Sequence, residues 1–96
     1  MDVAIVGAGF TGLWTAYYLL GAVPSLRVAV VEQEFAGFGA SGRNGGWCSA
    51  LFPVSASTLA REHGPDAAVA QYAAMCDSVA EVVRVAGAEG DRKSVV

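Results

Sequence analysis

The chain has 96 residues, 54% of them apolar and 16% charged, with a formal charge of −3. That length admits one domain at most, and the negative balance leaves no electrostatic footprint for nucleic acid or an anionic membrane. No apolar run approaches the roughly 18–20 residues that span a bilayer, and no basic region precedes the first apolar stretch, so neither a membrane span nor a signal peptide is expected and a cytoplasmic location follows by default.

Residues 3–6, Val-Ala-Ile-Val, predict a short strand. They enter a G-x-G-x-x-G made by Gly7, Gly9 and Gly12. Gly7 lets the chain turn off the strand, Gly9 lets backbone approach a pyrophosphate, and Gly12 lets the following helix pack tightly on the sheet. A helix is predicted at once over residues 13–20, with Leu13, Ala16, Tyr17 and Leu20 on one apolar face. Trp14 and Tyr18 fall beside that face and read as core or helix–helix contacts. Gly21 is the expected C-cap, and Pro24 closes the helix off.

A second apolar run, residues 28–31, ends on Glu32, twenty positions after Gly12. Strand, glycine turn, helix, strand and acid make the full fingerprint of a dinucleotide-binding, Rossmann-like βαβ unit in an α/β fold. The helix N-terminus would present unpaired N–H groups and its positive dipole end to phosphates. Glu32 would accept hydrogen bonds from ribose hydroxyls, and its charge disfavours a 2′-phosphate. The motif leaves FAD and NAD both open.

Residues 35–50 form a second glycine-rich block, with five glycines among residues 37–46. Such a stretch predicts a loop running close to a ligand rather than a helix or strand core. Its backbone N–H groups can form an anion nest. Arg43 adds charge there, and Ser41 and Asn44 add compact hydrogen-bonding groups.

A short helix is expected over residues 55–62, capped by Ser55 or Ser57. Gly64-Pro65 interrupts it, and Pro65 suits the first turn of a longer helix. Val69, Tyr72, Cys76, Val79, Val83 and Ala86 then follow helical spacing and predict one packing face. Gly87 or Gly90 would end that helix. His63 reads as a cap or surface residue. Cys48 and Cys76 are far apart and read as buried small residues, and with a single histidine no metal site is expected. The expected organisation is a dinucleotide-binding βαβ unit with its loop (1–50), a helical segment of the same domain (51–90) and an irregular tail (91–96).

At residues 3–12, at Glu32 and above all at Gly37-Phe-Gly-Ala-Ser-Gly-Arg-Asn-Gly-Gly46, the chain resembles the FAD-dependent oxidoreductases of the D-amino-acid-oxidase superfamily. The subgroup it is most similar to is that of bacterial amine and amino-acid oxidoreductases of the gamma-glutamylputrescine oxidoreductase type. The resemblance implies FAD as cofactor and a hydride passing from the amine-bearing carbon of a small substrate to the flavin. It implies that Gly7, Gly9, Phe10, Thr11 and Gly12 hold the pyrophosphate, that Glu32 takes the adenosine ribose, and that Gln33 lies near the adenine end. Ser41, Gly42, Arg43, Asn44 and Gly45 would run along the pyrophosphate and ribityl chain. It assigns no catalytic residue, because the substrate domain of the family does not fit in this length.

The expectation is therefore an N-terminal FAD-binding fragment, inactive alone, with the reading frame shifting or stopping near Gly90. Two strands with open edges and a low charge content predict partial folding or aggregation without partner strands. The alternative is a stand-alone nucleotide-binding module that docks on a partner chain and completes a split flavoprotein.

Overall fold

The computed structural model of the protein describes residues 1–90, so the tail expected at 91–96 lies outside the described residues. The chain divides into two compact units, Met1–Gly46 and a second that starts at Trp47.

In the first unit, strands β1 (Val3–Val6) and β2 (Val28–Val31) pair in parallel, with Val3 opposite Val28 and Val6 opposite Val31. Both strands fall where the apolar runs place them. Helix α1 (Phe10–Ala22) makes the crossover and packs against both strands. At the N-terminal ends of the strands, Asp2 clamps Arg27. Its carboxylate accepts from the Arg27 backbone N–H at 2.9 Å and from the guanidinium at 2.9 and 3.1 Å. That contact draws the Asp2 carboxyl below its ordinary pKa, chiefly through the Arg27 side chain. The opposite ends of the strands are left to the glycine turn.

Helix α1 differs from expectation in three ways. It starts at Phe10, a turn earlier than the apolar periodicity indicates. It also runs through Gly21, which is not its cap. Val23 ends it, with its N–H bonded to Leu19 O at 2.9 Å and its backbone at φ −135°, ψ 85°. The physical cause is Pro24, whose ring drives the preceding residue into an extended conformation. Finally, the half-buried residues are Gly12, Trp14, Ala16 and Leu19, so of the expected face Ala16 is covered whereas Leu13, Tyr17 and Leu20 are exposed. The helix is apolar nearly all round, so the position of the two strands, not the composition, selects the covered side. Trp14, Tyr17 and Tyr18 pack on one another, with Trp14 stacked on Tyr18 at 5.8 Å between centroids.

In the second unit, α2 (Ala56–His63) packs on α3 (Pro65–Ala88). Ser55 caps α2 as expected, its Oγ accepting from Thr58 N–H at 3.2 Å. The Tyr72 hydroxyl donates to Val54 O at 2.8 Å and its ring meets Phe52 edge-on, which pins the preceding segment. His63 is on the surface, as read from the sequence.

The face expected on α3 is met in part: Tyr72, Val79 and Ala86 are covered, and Val69, Cys76 and Val83 are not. The covered line is Ala68, Tyr72, Met75 and Val79, while Val69 is 71% exposed and Val83 49% exposed. Alanine flanks both sides of this helix, so two stripes are almost equally apolar, and Ala68 and Val85 are the residues that become fully buried. Both cysteines are exposed, contrary to the reading of them as buried. Cys76 rides on the uncovered stripe, and Cys48 lies in irregular chain just after Gly46. The helix passes through Gly87. Gly90 completes the end with φ +83°, its N–H bonded to Gly87 O at 3.2 Å.

Only Ala8, Ala68 and Val85 are buried apolar residues among those described. No helix of the described residues is long and apolar enough to cross a membrane.

Candidate functional site

The candidate site is built at the C-terminal ends of β1 and β2, where open α/β sheets bind their ligands. Gly7 leaves β1 with φ +102° and its N–H extends the ladder to Val31 O at 2.7 Å. Gly9 is the N-cap of α1, with no side-chain cap of its own. The first intrahelical bond runs from Leu13 N–H to Gly9 O at 3.0 Å. Thr11 and Gly12 thus lie in the turn whose N–H groups have no i−4 acceptor inside the helix. A Cβ at Gly12 would stand 2.1 Å from Gly7 O and 3.3 Å from Ile5 Cγ2, so the helix sits closer to the strand than any side chain allows.

Glu32 reaches back from the end of β2. Its Oε1 accepts from Ala8 N–H at 3.0 Å and its Oε2 from Glu34 N–H at 3.1 Å. The Ala8 bond, followed by the Glu34 bond, lowers the Glu32 pKa below the ordinary glutamate value. Each carboxylate oxygen keeps a further lone pair, so the group is fixed in place and still able to accept from a diol. Gln33 follows on the exposed turn beyond it.

The second glycine-rich block folds back over the first. Gly37 N–H bonds to Ala8 O at 2.9 Å, and Ser41 Oγ accepts from Phe10 N–H at 2.8 Å. Ser41 lies on a single 3-10 turn, Ala40–Gly42, and supplies α1 with the cap that Gly9 lacks. A Cβ at Gly42 would stand 2.0 Å from Gly37 O. Arg43 ends the turn, its guanidinium 4.5 Å from the centre of the Phe38 ring. The Asn44 side chain is spent on the loop itself. It donates to Ala40 O and Ser41 O and accepts from Gly46 N–H at 2.7 Å. Gly45 lies exposed within that hairpin of contacts.

Glycine turn, Glu32 and Ser41 therefore converge on residues 8–10. The sequence reading missed Ala8, which receives Gly37 through its carbonyl and binds Glu32 through its N–H. No local signal marks an alanine for that role. The cradle suits a dinucleotide: free helix N-terminal donors for a pyrophosphate, a fixed anionic acceptor for a ribose, and approaches that only glycine permits.

The profile of the DAO family, described as FAD dependent oxidoreductase, matches residues 2–90. The chain belongs to this family of FAD-dependent oxidoreductases.

The chain is 40% identical over 67 residues to gamma-glutamylputrescine oxidoreductase of Escherichia coli K12, covering 70% of this chain and 15% of that protein. The probable oxidoreductase OrdL of Haemophilus influenzae matches to the same identity and extent. A thiamine thiazole synthase of Aspergillus oryzae is 46% identical over 50 residues, covering 52% of this chain and 15% of that protein. No solved structure matches the chain. This DAO-family chain spans about 15% of the length of the curated relatives it matches. Relatives that share this stretch and differ in reaction identify a cofactor-binding start, not a substrate.

Two consequences can be measured at this site. Ser41→Ala removes the acceptor at Phe10 N–H. As with other lost caps, it should lower stability by about 1 kcal/mol, or several degrees in Tm, by thermal melting against wild type. Glu32 has a folded pKa below its unfolded one, so its brace is fully present above the unfolded value and is lost as pH falls through the folded value. FAD affinity should hold as pH descends through the usual carboxylate range and drop only beneath it. A Glu32→Gln variant should lose that dependence.

Proposed function

We propose that this chain forms the FAD-binding start of an amine or amino-acid oxidoreductase and is inactive without the rest of such an enzyme. The observation that carries the reading is the Glu32 carboxylate held by Ala8 N–H at the mouth of the glycine turn. An acid fixed there, at the head of a helix with free N–H groups, addresses the ribose and pyrophosphate of one extended ligand.

In this reading the N–H groups of Gly9, Thr11 and Gly12 receive the pyrophosphate, with Gly7 and Phe10 shaping the turn. Glu32 accepts from the adenosine ribose, and Gln33 borders the adenine. Ser41, Gly42, Arg43, Asn44 and Gly45 flank the pyrophosphate and ribityl chain, Asn44 by holding the loop in shape. FAD, when bound, supplies the two-electron chemistry, and the protein supplies orientation and charge. The amine half of the substrate class follows the name of the Escherichia coli relative, a gamma-glutamylputrescine oxidoreductase, and the amino-acid half follows the resemblance of the two glycine-rich motifs. We place the protein in the cytoplasm.

Titration with FAD, NAD and NADP tests the reading. FAD should bind most tightly, and NADP least, because Glu32 repels a 2′-phosphate. Tighter binding of NAD than of FAD would overturn it.

A further inference from the structure

We infer that Phe38 is a positioning residue, whose ring seats the Arg43 guanidinium for a diphosphate. The inference rests on the FAD-binding reading above.

Unit Met1–Gly46 contains two basic side chains, Arg27 and Arg43. Arg27 is bound by Asp2 at the far ends of the strands. Arg43 makes no ion pair among the described residues. Its guanidinium instead lies 4.5 Å from the Phe38 ring centre. A cation over a ring face is attracted to the quadrupole there, yet the N–H donors around the guanidinium rim stay open to an anion.

The ring is itself held. Phe38 meets Phe35 edge to face at 5.1 Å and 82°, and its N–H closes the turn on Phe35 O at 3.0 Å. Gly37 occupies the third position of that turn with φ +77°, the position a type II turn reserves for glycine. Gly37 N–H then ties the turn to Ala8 O. An unbroken chain of contacts thus runs from the first glycine turn through Gly37 and Phe38 to the charge of Arg43. A long, flexible side chain ordered before the ligand arrives loses less freedom on binding.

The test compares FAD with riboflavin, which has the same ring system and no phosphate, by quenching of flavin fluorescence on the full chain. The ratio of the two dissociation constants cancels any change in the folded fraction, because both ligands draw on the same competent population. Phe38→Leu should reduce the preference for FAD by about two- to fivefold and leave riboflavin binding as it was. Phe38→Trp should keep the preference. In an Arg43→Gln background, Phe38→Leu should have no further effect. Equal weakening of both ligands, or an undiminished effect in the Arg43→Gln background, would show that Phe38 merely packs the loop and would overturn the inference alone. A wild-type chain that binds neither flavin would overturn the FAD-binding reading, and the inference with it.

Discussion

Gly12→Ala should weaken FAD binding by roughly ten- to a hundredfold, the equivalent of overpacking by about 1–3 kcal/mol. The new methyl would stand 2.1 Å from Gly7 O and 3.2 Å from Gly7 C, and neither atom can rotate away. Helix α1 must therefore slide off β1, carrying its first-turn N–H groups away from the proposed place of the pyrophosphate. Gly21, one helix end further on, provides the contrast. It has open space where a Cβ would go and lies inside the same helix, so Gly21→Ala should stabilise the chain by about 0.5–1 kcal/mol. Isothermal titration and melting of the two variants side by side would check both signs. Unimpaired FAD binding by Gly12→Ala would mean that the helix is not seated on the strand as described.

Gly42→Ala should produce a loss of similar size by a different route. Its Cβ would meet Gly37 O at 2.0 Å and Gly37 C at 2.9 Å, so the two sides of the second glycine loop must part. Ser41 would then leave Phe10 N–H, and Arg43 would leave its seat. Gly39 borders the same turn with nothing near its missing Cβ, and Gly39→Ala should change stability by no more than about 0.5 kcal/mol. Part of the Gly42→Ala effect acts through Ser41, so it should shrink in a Ser41→Ala background. Full additivity would argue that the two positions act independently.

These two glycines also mark where sequence reasoning reaches its limit. Strands β1 and β2, the glycine turn and Glu32 are legible because each is written in local chemistry: an apolar run, a spacing of glycines, an acid at the end of a strand. The break at Gly64-Pro65 and the Ser55 cap are local in the same sense. The covered faces of α1 and α3 are legible only in part, Ala16, Tyr72, Val79 and Ala86 falling where their spacing puts them. Both helices are apolar on more than one side, and only the neighbour they meet decides which side is buried. Cys76 is exposed, against its expected burial, for that reason. Pro24 is legible as a stop, but its effect on Val23 makes Gly21 unnecessary as a cap. The bond from Phe10 to Ser41 joins residues thirty-one apart, and the residue type announces a hydroxyl without announcing its partner. Asn44 shows the converse: a polar residue in a glycine-rich loop invites a ligand role, yet its amide is consumed by Ala40, Ser41 and Gly46.

The bonds that meet at residues 8–10 bear on how the protein comes to be made. Glu32, Gly37 and Ser41 all reach back to that one point, over separations of up to thirty-one residues. Bringing the ends of so long a segment together carries a chain-length entropy cost of about 3 kcal/mol. Most of that cost is already met once β1 and β2 pair, so the later contacts at Ala8 and Phe10 are added to a segment that is closed already. A nascent chain released only as far as Glu34 would hold both strands and the helix between them, and would still lack the Gly37 and Ser41 contacts to residues 8–10. The bracing of residues 8–10 is thus complete only after Ser41 has left the ribosome, later than the winding of the first helix.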